Sequence, residues 1–470
     1  MSRLTIIQDG KTHIHEFDAP LLLSDALCAF GYAVSHPCGG RGTCKKCTVL
    51  LGGSPVLACR TTLSADAQVA LPDTETLCAL AGEEETNHLT QQVAFCLDIG
   101  TTTLALALVS LDEQRIIRSV TAPNPQRAFG ADVISRIDFC MKHGPLELQK
   151  VLIARLQEMI DELLCAFSLS CVPTLVAAGN TTMLHLLFGT DCSSMGVSPY
   201  TPVFLDEKIV SAQALGLSGV NTVVSLPGIA AFVGADIVAG MEHTGLPEKG
   251  KYHILLDLGT NAEIALFSEN SILCTAAAAG PCFEGANISC GMSAAPGAIC
   301  ACAANGSCTV IGSGKAKGIC ATGLIDAIAL GVRREIIDET GYLEDDPMPV
   351  FGDVTLTGRD VREFQLAKSA IRAAMECLIR RAGISFEEIS RLYVAGGFSA
   401  GMNIQNAVFV GLIPEELKDK FVGVGNASLL GCVRHACQAE NSTPALEAAQ
   451  YVDLSSDPLF TQLFMEYMMF

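Results

Sequence analysis

Four cysteines near the start of the chain are spaced Cys38-x5-Cys44-x2-Cys47-x11-Cys59, three of them inside the Gly-rich stretch HPCGGRGTCKKC. Thiolates gathered on one loop, with a fourth from a nearby strand, can hold a 2Fe–2S cluster. Gly39, Gly40 and Gly42 let the backbone wrap closely and aim N–H groups at inorganic sulfide, and with Arg41 they favour the extra negative charge of the reduced state. A structural zinc site is the alternative, since four thiolates also form a tetrahedral set. Such sites usually pair two Cys-x2-Cys knuckles, and only one is present, so the cluster is the favoured reading.

A second chemistry is written twice, as CLDIGTTTLALAL at 96–108 and LLDLGTNAEIAL at 255–266. Each is an apolar strand ending in an acid, a Gly-Thr turn and a second, alternating strand. Asp98 and Asp257 are the candidate catalytic residues: facing each other across a cleft, they would hold a magnesium ion directly or through its waters. Gly100, Thr101, Thr102 and Thr103, with Gly259, Thr260 and Asn261, would offer backbone N–H groups and hydroxyls to phosphate oxygens. Gly396 and Gly397 would let the backbone approach an adenine–ribose face. No stretch matches the G-x-x-x-x-G-K-[ST] phosphate loop.

The elements that position these groups follow from pattern. LTIIQDGKTHIHEF predicts a hairpin turning at Asp9–Gly10, PLLLSDALCAFGYAV a helix ending near Gly31, and CTVLLGGSPVLAC a hairpin around Gly52–Gly53. That order is a small β-grasp over residues 1–72. Leu71–Gln92 has five acids and no Lys or Arg, so 73–92 reads as an acidic linker. Beyond it each Asp-Gly-Thr hairpin is followed by a strand closing on small residues, TLVAAGN at 174–180 and LYVAGGF at 392–398. The intervals are about 80 and about 140 residues, which predicts two α/β lobes of one plan, 93–247 and 248–470, with insertions in the second.

Composition bounds the function. Half of the 470 residues are hydrophobic and 17% are charged, so the chain folds into packed domains. A formal charge of −20 argues against nucleic acid. Met1–Leu21 does not read as a signal peptide, and no window gives about 18 uninterrupted apolar residues, so a cytoplasmic protein without a membrane span is expected. Twenty-one cysteines in a chain of this size fit a reducing compartment, and Cys28, Cys165, Cys320, Cys377 and Cys432 occupy apolar positions as small core residues.

Other residues carry blander readings. Asp132 and Asp236, each in a GAD before an apolar helix, read as N-caps. Asn180 either caps the helix that follows it or touches nucleotide. His185 reads as a core histidine. CACAANGSC at 300–308 reads as loop packing rather than a metal site.

Two resemblances sharpen these expectations. The cysteine stretch resembles 2Fe–2S ferredoxin domains, although its first gap is five residues rather than the plant-type four. The hairpin pair with VAGGF resembles the acetate and sugar kinase, heat-shock chaperone and actin superfamily, a duplicated two-lobed ribonuclease H-like fold that closes over ATP. Together with GNTTMLHLL, AGPCFEGANISCGMSAAPGAI, GICATGLIDAI, VAGGFSAGMNIQNA and GNASLLG, the chain resembles the reductive activators of corrinoid-dependent methyltransferases. That resemblance implies ATP-dependent, one-electron reduction of a corrinoid protein from Co(II) to Co(I). It implies a 2Fe–2S cluster on Cys38, Cys44, Cys47 and Cys59, ATP with Mg2+, an upstream low-potential electron donor, and a homodimer. A redox-regulated small-molecule kinase, an ATP-driven donor to another low-potential enzyme and a non-catalytic scaffold remain as alternatives.

Overall fold

The computed structural model describes residues 2–8, 11–17, 19–30, 32, 47–71, 92–259, 261–312, 314–397, 399–437 and 446–470. Cys38, Cys44, Thr260 and all but the last residue of the 73–92 linker lie outside the described residues.

Strands Ser2–Gln8 and Lys11–Phe17 pair antiparallel with Gln8 opposite Lys11, which leaves two residues for the expected turn. Ala67–Ala70 lies parallel to the first, and Thr48–Leu51 and Ser54–Leu57 complete a mixed sheet that has five strands among the described residues. Helix Leu23–Ala29 packs Leu23, Ala26 and Leu27 against Leu4, Ile6, Val49 and Val69. The turn at Gly52 and Gly53 has φ of 55° and 85°, the left-handed pair that a tight two-residue hairpin requires.

The remainder holds two large sheets of matching plan. In the first, Arg115–Pro123, Thr103–Ser110 and Val93–Ile99 form an antiparallel meander, continued in parallel by Val172–Gly179 and Val220–Ser225. In the second, Ile272–Ala277, Ala262–Phe267 and Tyr252–Leu258 form the meander, continued in parallel by Ile389–Ala395 and Phe421–Gly425. The repeat extends to register: Asp98 pairs with Ala178, and Asp257 with Ala395, on the neighbouring parallel strand.

The alternation expected in the second hairpin strand is absent, because seven of the eight residues of Thr103–Ser110 are buried. Helix Leu146–Ala166 contributes Leu148, Leu152 and Leu156 to the same core, and helix Ala427–Ala436 contributes Leu429, Cys432 and Val433. A strand covered on both faces needs no polar side. Cys320, Cys377 and Cys432 are buried as expected, but Cys165, in the last turn of Leu146–Ala166, is exposed. Among the described residues no helix is long and apolar enough to cross a membrane.

Two helices join the halves. Ala235–Thr244, at the end of the first half, packs on Ala427–Ala436 from the second. Contact is intimate at Gly431, where an added Cβ would stand 2.0 Å from the Ala239 carbonyl oxygen. Even a methyl group there must push the helices apart. Gly431→Ala is expected to cost about 1–3 kcal/mol by overpacking, lowering the urea midpoint of unfolding; an unchanged midpoint would show that the crossing yields without strain.

Candidate functional site

Between the two hairpins the chain collects carboxylates. Asp98 and Asp257 sit one residue before the ends of Val93–Ile99 and Tyr252–Leu258, and the Asp98 charge raises the affinity of Asp257 for a proton. Asp98 is held on both oxygens: Asn426 Nδ2 donates at 2.9 Å and Ser428 Oγ at 2.8 Å. Both donors begin the crossing helix Ala427–Ala436, with Asn426 also capping it through Leu429 N–H at 2.8 Å. A residue of the first lobe is thus fixed by the second half of the chain.

Asp236 does not cap its helix. Gly234 occupies the N-cap position, because a Cβ there would lie 2.5 Å from Asn180 Cα, and Asp236 is placed one residue inside the helix, beside Asp257 and Asp98. Asp132, by contrast, forms a capping box with Ser135. Glu284 reaches between the lobes: it accepts from Thr102 Oγ1 at 3.4 Å and lies 4.0 Å from where a Gly259 Cβ would be. Asn180 both caps Thr181–Leu187, accepting from Met183 N–H at 3.0 Å, and donates to Thr101 Oγ1 at 3.1 Å. His185 is a satisfied core residue, bonded to Thr181 O and Val203 N–H and stacked on Phe204.

The loops differ in detail from expectation. Gly100 and Gly259 form the hairpin turns, Thr103 opens the second strand of the first, and Asn261 returns its carbonyl to Gly259 N–H at 3.1 Å. Gly396, at φ 106°, lacks a Cβ because its own neighbouring strand requires it: the Leu258 oxygen would be 2.7 Å away. Only Gly397 faces open space, so the backbone exposed to a ligand is narrower than the Gly-Gly pair suggested. Ser399 Oγ accepts from Gly425 N–H at 3.1 Å, tying this turn to the residue before Asn426.

Recession from water raises all four acids on the strands and the crossing helix. It lifts Asp257 to about 7, with Asp98 and Glu284 adding repulsion. Asp236 rises for the same first cause, then through Asp257 and Asp98, against the opposing N–H of Ile237. Glu263, opposite Asp257 in the hairpin register, is raised by burial and then by Asp236 and Asp257. Asp98 rises least freely, since Ser428 and Asn426 stabilise its charged form. No three carboxylate, thiol or imidazole groups among the described residues close on one metal-sized point.

Cys47 and Cys59 are brought together in the small sheet domain, both buried, with Sγ atoms 3.2 Å apart. The bond from Ala58 N–H to Cys47 O at 2.9 Å fixes the spacing. Two thiolates at about 2.3 Å from one tetrahedral ion stand roughly 3.8 Å apart, so a small side-chain rotation lets both bind one metal ion. The fit is good for half of the proposed ligand set. In CACAANGSC, Cys302 and Cys308 also face each other across a hairpin, with sulfurs 3.1 Å apart.

Sequence gives Asp236 only the reading of an N-cap in its GAD, and gives Glu284, Asn426 and Ser428 no individual role although they lie in AGPCFEGANISCGMSAAPGAI and GNASLLG, which carry the resemblance.

A duplicated meander with acids at matched strand ends and a glycine turn opposite them is the architecture of an actin-like ATPase. Comparison with known proteins agrees. Residues 93–249 match the RACo middle region, and 251–470 match the C-terminal domain of RACo, the ASKHA domain. The corrinoid activation enzyme RamQ of Eubacterium limosum is 30% identical over 417 residues, 79% of this chain and 69% of that one. The Co(II) methylated amine-specific corrinoid protein reductase of Methanosarcina barkeri is 29% identical over 371 residues, 71% and 68% of the two chains. The solved structure of a reductive activator for corrinoid, iron-sulfur protein superposes with a TM-score of 0.72 at 24% identity, over 99% of this chain and 98% of that one. The chain belongs to the RACo family.

The raised acids set a pH dependence. A carboxyl whose folded pKa exceeds its unfolded value of about 3.9 keeps its proton in the folded state alone across that interval. Its stabilising contribution is full below the unfolded value and is lost as pH rises through the folded one, near 7 for Asp257. Asp257→Asn, which cannot ionise, should therefore flatten the decline in Tm between about pH 5 and about pH 8 measured without divalent cation. Parallel pH profiles for variant and wild type would contradict the assignment.

Proposed function

We propose that this chain is an ATP-dependent reductive activator, returning the cobalt of a corrinoid protein from inactive Co(II) to Co(I). The observation that carries the reading is the meeting of Asp98, Asp236, Asp257 and Glu284 between two matched hairpins, one from each lobe. Two relatives bear names of the same activity. The accompanying division is a β-grasp ferredoxin-like domain over 1–72, a linker over 73–92, and ATPase lobes over 93–247 and 248–470.

In this reading Asp98 and Asp257 hold Mg2+ through its water shell, and Asn426 and Ser428 keep Asp98 charged and oriented. Gly100, Thr101, Thr102, Thr103, Gly259, Thr260 and Asn261 receive the phosphates, and Gly397, beside Gly396, meets the adenosine end. Asp236, whose carboxyl is raised well above its ordinary value, takes the proton of the attacking water. Glu284, in contact with Thr102, registers whether the lobes are apart or together.

Cys47 and Cys59, with Cys38 and Cys44, hold the redox group. Bound there, a 2Fe–2S cluster supplies a one-electron carrier of low potential, near −400 mV in plant-type proteins. Each ~59 mV uphill costs a factor of ten, so a gap of about 100–150 mV costs roughly 2–3.5 kcal/mol. Differential binding of a partner to two protein states can supply that much. ATP would close the lobes, the closed form would bind the corrinoid protein and change its cobalt ligation, and transfer of the γ-phosphoryl group to water, giving ADP and phosphate, would release it. An upstream low-potential donor refills the site, and the assembly is a homodimer.

Anaerobic mixing of the reduced protein with a Co(II) corrinoid protein of a methyltransferase system tests this by the visible spectrum of Co(I). Co(I) should form with Mg-ATP and stay at least about tenfold slower without it; equal rates with and without nucleotide would defeat the proposal.

A further inference from the structure

Arg136 lies on helix Val133–His143, and none of its surface reaches solvent. Its guanidinium donates to the carbonyls of Thr101 and Gly130 and to Gln126 Oε1, and touches Met183 Sδ. Among the described residues no carboxylate lies within ion-pair distance of it; Asp132 and Glu284 act on it only through space, and Arg127 opposes them. A buried guanidinium without a counter-ion is costly and implies that an anion arrives from elsewhere.

The geometry shows where. Asn124 Nδ2 donates to Gly100 O at 2.8 Å, Arg136 donates to Thr101 O, and Asn124 N–H donates to Thr102 O at 2.9 Å. Three successive carbonyls of the first hairpin turn are thus held from inside the lobe. In a trans peptide the N–H points opposite to the C=O, so the Thr102 N–H faces away from Arg136, while the Thr102 hydroxyl meets Glu284 of the second lobe. A cation at the carbonyl end polarises that peptide and strengthens its N–H as a donor to an anion.

We propose that Arg136 is a positioning residue that supplies the resident positive charge of the first phosphate-binding turn, acting through the Thr101–Thr102 peptide. The proposal rests on the reading of the cleft as a nucleotide site. It names the charge that offsets the repulsion a polyphosphate would meet from Asp98, Asp236, Asp257 and Glu284. Arg127, Asp132 and Glu284 are the charged groups that act on Arg136; Gln126, which accepts from it, and Asn124, which meets the same Met183 sulfur, are both fully buried.

Calorimetric titration of Mg-ATP into wild type, Arg136→Lys and Arg136→Met tests it on the full-length protein. Lysine keeps the charge and loses the fork; methionine keeps most of the packing and loses the charge. Arg136→Met should bind Mg-ATP at least about tenfold more weakly, and Arg136→Lys should stay within about threefold of wild type. If Arg136→Met binds like wild type, or Arg136→Lys is as weak as Arg136→Met, the charge has no such role and the inference fails. If Arg136→Met does not fold, Arg136→Lys decides against inorganic triphosphate. Retained binding there supports the charge, and a loss of about tenfold or more overturns it. Wild type that binds neither Mg-ATP nor triphosphate instead removes the nucleotide-site reading itself.

Discussion

Carboxylates gathered in a recess repel one another, and they persist only when protons or a cation share the space. Asp98, Asp236, Asp257, Glu263 and Glu284 form such a set, drawn from both hairpins, from the crossing helix Ala235–Thr244 and from the turn Pro281–Glu284. Burial raises Asp98, Asp236, Asp257 and Glu263, and neighbouring carboxylates raise the last three further, whereas Ser428 and Asn426 hold Asp98 back. The cleft is therefore most stable empty when partly protonated, and most stable charged when a divalent cation is present. The lobes are built so that this one repulsion bears on both. Bringing a cation and a polyphosphate into the cleft changes its sign and gives the halves a reason to move together.

The means of transmission is continuous through the crossing helices. Ser399 holds Gly425, Asn426 follows it and holds Asp98, and Gly431 lies against the backbone of Ala239. The Gly396–Gly397 turn of the second lobe is thereby joined to Asp98 of the first by a few hydrogen bonds and one close backbone approach. Asp236 begins the other crossing helix, which places a prospective proton acceptor on the same moving part. The far end of the helix pair is closed by His435 between Glu242 and Glu207.

Much of this was legible in the chain. The two Asp-Gly-Thr hairpins gave the duplication, and matched registers at Ala178 and Ala395 show how literal the repeat is. The Asp9–Gly10 and Gly52–Gly53 turns located the small sheet, because a two-residue turn fixes register. What escaped was tertiary. Asp236 looked like a cap because a cap and a cleft acid both favour Asp after Gly; only the approach of Gly234 to Asn180 distinguishes them. Asn426 and Ser428 lie 328 and 330 residues from Asp98, a pairing that no local pattern encodes. Cys165 shows an apolar residue type on an exposed helix face. Gly396 was assigned to ligand approach, whereas its immediate constraint is the Leu258 carbonyl of the adjoining strand.

The paired cysteines of the small domain are held within that domain. Cys47 and Cys59 need the Ala58–Cys47 backbone bond to stay paired, and nothing in the cleft supplies it. In the proposed mechanism nucleotide acts on electron transfer through the lobes and the corrinoid partner. The measurement that tests this account most directly is calorimetry of a non-hydrolysable Mg-ATP analogue near pH 7 in buffers of different ionisation enthalpy. Cation entry should expel protons from acids whose pKa values the cleft has raised, so the observed heat should vary with buffer and show net proton release. Heats independent of buffer would mean that the acids are already ionised, and that the repulsion on which the lobes are said to depend is absent.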